Sequence, residues 1–222
     1  MKKLIDCNTI FVDCFDTVVF RKVKPKEIFK IWAEKLSKIY NISNKQIYKL
    51  YTKVNFNMCL KKLLTSLTLQ ENFENVIRRV YGKLQARHLD IDPSFIQTAH
   101  DVYFDTELEN FVVNDDMIEF LRRKKEEGKE IFLVSDFYCK SDTLSGWFSK
   151  LNIIDVFEQI FSSSDFNKEK ATSKIYKYLL KNLNLQPHNV IMYGDNAWSD
   201  VFIARMCGLG AKRIKIKITK DK

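Results

Sequence analysis

The sequence predicts an α/β protein: a Rossmann-like parallel sheet wrapped by helices, with one α-helical insertion. Three observations carry this. Short runs that are apolar throughout, but for Thr9, recur along the chain, each leading into a polar or acidic residue. They are Thr9–Val12 before Asp13, 131–134 before Ser135, and 190–193 before Gly194 and Asp195. Helical patterns lie between and after these runs, and one long block after the first run is helical throughout. Continuous apolar runs of this length suit strands buried on both faces, and alternation of strand with helix points to a parallel sheet.

Taken in order, the first strand covers 9–12, and helical periodicity without a strand then runs from Pro25 to about Leu108. Pro25 suits the first turn of a helix with Ile28, Trp32, Leu36 and Ile39 on its apolar side. Ser43 with Gln46, and Thr68 with Glu71, have the spacing of a capping box, which satisfies exposed backbone groups at a helix start. Asp92 and Pro93 mark another opening. The helices so marked carry Ile47, Leu50, Tyr51 and Val54, then Phe73, Val76, Ile77, Val80 and Leu84, then Phe95, Ile96, Ala99, Val102 and Tyr103. Four amphipathic helices can pack as a small bundle. Beyond it, a helix over 117–127 closed by Gly128 precedes the strand at 131–134. Helices over 171–183 and 198–207, the latter closed by Gly208, flank the strand at 190–193. In the tail, 211–222, isoleucines alternate with lysines, which reads as a final strand with a solvated charged face.

A chain of 222 residues with 45% hydrophobic content holds one full core and a small appended domain. The net charge of +9 comes from lysines spread along the chain rather than gathered in a block. It therefore favours small anionic molecules over nucleic acid, and no aromatic stacking residues interleave with the charges of the tail. Five cysteines without a C-x-x-C pair suggest neither a disulfide framework nor a zinc site. A reducing cytoplasm is the expected location. The first residues, MKKLIDCNTIFVDCF, are too interrupted by acidic and polar groups for a signal peptide, and no apolar run has membrane-spanning length. His88, His100 and His188 show no metal-ligand spacing.

The strand ends carry the chemistry, because parallel sheets bind ligands there. Asp13 follows the first strand, where a carboxylate can act as nucleophile or metal ligand. Asp195 ends another strand, and Asp200 opens the helix beyond it. Three carboxylates make an oxygen-rich site of the kind Mg2+ prefers. Ser135 supplies a hydroxyl and Lys170 a cation, both suited to the oxygens of a transferring phosphoryl group. Each residue taken singly also fits a plainer role, as a turn-ending aspartate, a helix cap or a surface charge.

Taken together, four segments resemble the motifs of the haloacid dehalogenase-like (HAD) superfamily: FVDCFDTVV, IFLVSD, Lys170 within KEKATSKIY, and IMYGDNAWSD. The resemblance implies a core of residues 1–20 and 113–222 with a helical cap over 21–112. It implies that Asp13 attacks a phosphate ester and carries a covalent intermediate, that Ser135 and Lys170 hold the phosphoryl oxygens, and that Mg2+ is bound by Asp13, the carbonyl of Phe15, Asp195 and Asp200. Thr17, Arg21 and Asp136 are the expected substrate-binding residues. One departure stands out: Phe15 occupies the position of the usual general acid, leaving the neighbouring Asp16 as the substitute. The resulting expectation is a Mg2+-dependent phosphatase of a small phosphorylated metabolite. The alternatives are a metal-independent 2-haloacid dehalogenase, whose halide leaving group needs no proton, and a catalytically weak ligand-binding or regulatory protein.

Overall fold

The three apolar runs become adjacent strands. β1 (Thr9–Val12) lies between β4 (Glu130–Ser135) and β6 (Val190–Gly194), and β5 (Gln159–Ser162) and β7 (Gly210–Arg213) extend the sheet on either side. The computed structural model describes residues 7–66, 70–87 and 91–215. Among these, the sheet runs β5-β4-β1-β6-β7 and every pairing is parallel. This is an α/β fold of the predicted class.

Register explains the burial pattern. Phe11 pairs with Phe132 and Met192, and Val134 with Phe161, so these side chains share a sheet face. There they join Ile175, Tyr176, Leu179 and Leu209 in a continuous core. Ile131 and Leu133 point the other way and are equally buried, where α5 (Asp115–Glu126) packs on β4 and α6 (Ser141–Lys150) on β5. Burial on both faces is why the strands lack polar alternation. Local rules fix α5: Asn114 Oδ1 accepts from Met117 N at 3.3 Å, acidic residues fill the first turn and basic ones the last. Gly128, at φ 80°, ends it in a left-handed conformation that glycine adopts without strain.

The chain divides into two compact units, one of Met1–Phe20 with Val112–Lys222, the other Arg21–Phe111. The two crossings run through β2 (Val19–Arg21) and β3 (Phe111–Val113), which form a two-stranded sheet. Each unit closes its own ends. In the sheet unit, Asn114 donates through N to Val18 O at 2.9 Å and through Nδ2 to Thr17 O at 2.7 Å. In the helical unit, Lys22 N donates to Asn110 O at 2.8 Å.

The helical unit comprises α1 (Pro25–Tyr40), α2 (Asn44–Ser66), α3 (Phe73–Gln85) and α4 (Ser94–Glu109). Neighbouring helices pack α1 on α2 and α4, and α3 on α2 and α4. Aromatic rings form the nucleus: Phe29 stacks on Tyr51 at 4.5 Å, and Phe73 meets Tyr103 at 4.4 Å. Trp32 is fully buried, with Nε1 donating to Ala99 O at 2.8 Å.

Several local expectations are corrected. Ile39 is 54% exposed rather than part of the α1 core face. Thr68 lies outside the described residues, and α3 starts at Phe73, where Asn72 caps it by accepting from Glu74 N at 2.8 Å. The helix expected from 171 begins instead as α7 (Lys174–Asn182), because Ser173 adopts φ 64° after a 3-10 turn at Lys170–Thr172. The helix expected over 198–207 is a π-helix at Ala197–Ile203 followed by one α turn at Ala204–Met206. β5 lies in a segment to which the sequence pattern assigned no element. In the tail, β7 falls at Gly210–Arg213, while 216–222, like His88, lie outside the described residues.

Replacing Trp32 by Ala removes the ring and the Ala99 bond together, and large-to-small changes of this kind cost about 3–5 kcal/mol. Urea unfolding followed by circular dichroism is expected to show a loss of that size.

Candidate active site

Register brings the strand ends together. Val12 pairs with Leu133 and with Tyr193, so Asp13, one residue further on, stands between the ends of β4 and β6. Its backbone N donates to Tyr193 O at 2.8 Å. Ser135 closes β4 and Gly194 closes β6, with Asp195 next in the chain. Carboxylate oxygens of Asp13, Asp195 and Asp200 lie within 4.8 Å of one another. Asp200 arrives from the π-helix, whose start Asn196 caps by accepting from Trp198 N at 2.9 Å and Ser199 N at 3.1 Å.

Lys170 sits at the middle of this cluster. Its Nζ donates to Asp13 Oδ1 and lies 2.7 Å from Asp200 Oδ1, and all three side chains are almost wholly buried. Burial pushes the Asp13 carboxyl up to about 7; Lys170 pulls it down and Asp200 adds to the rise. Burial opposes the Lys170 ammonium, but Asp13 and Asp200 hold its pKa well above the ordinary lysine value. Asp195 is also raised, first by burial and then by Asp200 and Asp16. One cation thus faces three carboxylates, and the cluster carries excess negative charge in a poorly solvated place.

A model of the haloacid dehalogenase-like hydrolase family matches residues 7–208. The chain belongs to this family. A glyceraldehyde 3-phosphate phosphatase from Pyrococcus furiosus is 25% identical over 140 residues, which cover 62% of this chain and 54% of that protein. The match thus spans little more than half of that relative. Among solved structures, a HAD phosphatase from Thermococcus onnurineus superposes with a TM-score of 0.61 at 17% identity, covering 97% of this chain and 88% of the other. A 2-haloacid dehalogenase from Pseudomonas syringae gives 0.64 at 13% identity, covering 97% and 91%. At such identities these two likenesses speak to the fold.

Within this HAD-like hydrolase, the structure gathers Asp13, Lys170, Asp195 and Asp200 into one cluster and sets Ser135 at the adjoining strand end. Ser135 Oγ is buried without a hydrogen-bond partner, as is Thr17 Oγ1. An orphaned buried hydroxyl is uncommon and invites a ligand oxygen. Asp16 is exposed, at φ 55°, and its charge acts on Asp195. Phe15 turns its ring against Phe137, centroids 4.7 Å apart.

Two expected substrate contacts are engaged elsewhere. Asp136 accepts from Lys170 N at 2.7 Å and Ala171 N at 3.3 Å, so it braces the turn that carries Lys170. Arg21 makes two 2.8 Å bonds to Glu107, which is fully buried in the helical unit and also accepts from Tyr103 Oη at 2.6 Å. A bidentate partner on an inaccessible carboxylate occupies the fork that a substrate anion would need.

Sequence reasoning missed the supports of the cluster. Ser199 Oγ donates to Asp200 Oδ1 at 3.2 Å, Asn196 N to Asp200 Oδ2 at 3.1 Å, and buried Tyr176 donates to Ser199 O at 3.0 Å. Asn196 carried a readable signal, an asparagine between a strand end and a helix. Tyr176 carried none beyond its helical spacing from Lys170. Gly194 has its own steric reason: a Cβ there would lie 2.3 Å from Asp200 Oδ2.

The donors fit a divalent cation. Hard oxygen ligands from several carboxylates meet in one place, and a dication would offset the charge that now raises Asp13 and Asp195. Gly194→Ala must push Asp200 aside, and overpacking of this kind costs about 1–3 kcal/mol. A thermal melt is expected to show that loss, together with weaker binding of Mg2+ in isothermal titration.

Proposed function

We propose that this HAD-like hydrolase is a Mg2+-dependent phosphatase of a small phosphorylated metabolite. One observation carries the reading: a three-carboxylate cluster, two of its members buried and the third half-buried, with Lys170 bonded into it. Displacing halide from carbon has no need of such a cluster, whereas phosphoryl transfer depends on positioning and charge neutralisation. The phosphatase name of the Pyrococcus furiosus relative supports the same chemistry.

In this reading an Asp13 carboxylate oxygen attacks phosphorus, the bond from phosphorus to the ester oxygen breaks, and the phosphoryl group remains on Asp13 until water releases it. Mg2+, held by Asp13, Asp195, Asp200 and the Phe15 carbonyl, would neutralise phosphate charge. Lys170 opposes the rise that burial imposes on Asp13 and so favours its ionised form, and it offers its remaining protons to phosphoryl oxygens. Ser135 Oγ, with no partner of its own, donates to another. The departing oxygen needs a proton that Phe15 cannot give. The exposed position of Asp16 leaves solvent to share that task.

A panel of aryl phosphates and sugar phosphates, glyceraldehyde 3-phosphate among them, tests the proposal by phosphate release with and without Mg2+. Release that requires Mg2+ and vanishes in Asp13→Asn is expected; release that persists in Asp13→Asn refutes the mechanism. Positioned general acids contribute typically about 10²- to 10⁴-fold. Without one, the rate should climb steeply as the leaving phenol becomes more acidic, which a plot of log kcat against leaving-group pKa measures.

Phe15 favours a second reading, since displacement of halide requires no proton donor. Halide release from 2-haloacids in the presence of a chelator would establish that reading in place of the first.

A further inference from the structure

The helical unit carries a groove of unusual charge. In the first half of α2 the inward face is apolar, with Ile47, Leu50, Tyr51 and Val54 buried. Residues three and four apart share a side of a helix, so the same face continues through Met58, Lys61, Lys62 and Thr65. Two cations thus stand where core residues would be. Arg79 and Lys83, four apart on α3, line the same cavity of about 480 Å³, and Val54 and Met58 give it an apolar floor. Small-molecule sites typically measure ~300–1,000 Å³.

The groove gathers its cations in one place. Elsewhere in this unit some exposed cations have helical partners, Lys30 with Glu27, Lys38 with Glu34 and Arg78 with Glu74, while Lys24, Lys26, Lys45, Lys49 and Lys53 have no ion pair among the described residues. In the groove, Lys61, Arg79 and Lys83 have no ion-pair partner among the described residues. The one carboxylate lining the cavity, Glu71, accepts from Asn72 N at 2.9 Å and Asn75 Nδ2 at 3.0 Å and lies 3.8 Å from Lys62. α2 contributes no acid at all: its charged residues are Lys45, Lys49, Lys53, Lys61 and Lys62. Four cations against one carboxylate repel one another unless an anion lies between them.

We infer that the groove between α2 and α3 binds a small organic polyanion of the nucleotide type. Lys61, Arg79 and Lys83 hold its phosphates, with the planar guanidinium taking two oxygens at once. The apolar base rests on Val54 and Met58. The site stands apart from the reaction proposed above and does not depend on it.

Fluorescence anisotropy of N-methylanthraniloyl-ADP with the full chain, in a chelator that suppresses turnover, tests this. Saturable binding is expected, with pyrophosphate competing better than adenosine. A charge-assisted hydrogen bond is worth roughly tenfold or more in affinity. The triple variant Lys61→Ala, Arg79→Ala, Lys83→Ala should therefore weaken binding at least ~100-fold, while Lys83→Arg retains it. Relief of repulsion should leave the unliganded triple variant melting no lower than wild type, so loss of binding is not loss of fold. Absence of saturation up to ~1 mM, binding that survives the triple substitution, or tighter binding of a short single-stranded oligonucleotide than of the nucleotide would each overturn the inference.

Discussion

The ammonium of Lys170 is the interaction on which the carboxyl end of the sheet depends. It lies in the interior between Asp13 and Asp200 and neutralises part of a charge that the surroundings solvate poorly. A buried ion pair is weak evidence for net stability, but removing one partner strands the other, at about 3–5 kcal/mol. The neighbouring architecture is therefore devoted to holding Lys170 and its partners in place. Asp136 fixes the backbone of the lysine's turn, Ser199 and Asn196 satisfy Asp200, and Tyr176 secures Ser199. None of these four need touch a reacting atom to matter.

The same cluster is left incomplete in charge. A site made only for structural rigidity would match cations to carboxylates one for one, as Lys30 with Glu27 and Arg78 with Glu74 do. Here one lysine serves three aspartates, and a buried serine hydroxyl beside them has nothing to bond. Under the proposed function both deficits would be met by ligands of opposite character, a dication for the carboxylates and an oxyanion for Ser135 and Lys170. A HAD-like hydrolase with this arrangement keeps its unsatisfied groups where strand ends open on a loop, the part of a parallel sheet best placed to receive a ligand.

Much of this was legible in the sequence because burial on both faces leaves a strong signal. The runs at 9–12, 131–134 and 190–193 are apolar but for Thr9, and each leads within two residues to a polar group, so strand and site were read together. β5 was not, because its four residues, Gln159–Ser162, are too few and too mixed to stand out. The π-helix escaped because over seven residues no local pattern separates i to i+5 bonding from that of an α-helix. Arg21 was misread for a different reason. Its partner Glu107 lies 86 positions away, and no local pattern announces a carboxylate that tertiary packing will bury beneath it.

Because each unit closes its own ends, with Asn114 bonded to Thr17 and Val18 on one side and Lys22 to Asn110 on the other, the segment 21–111 behaves as a cassette. The gathered carboxylates, Lys170 and Ser135 all belong to the remaining unit. Sequence drift, or outright exchange, within the cassette leaves the register of β1 against β4 and β6 untouched. A change confined to one module thus leaves the polar groups gathered in the other where they are.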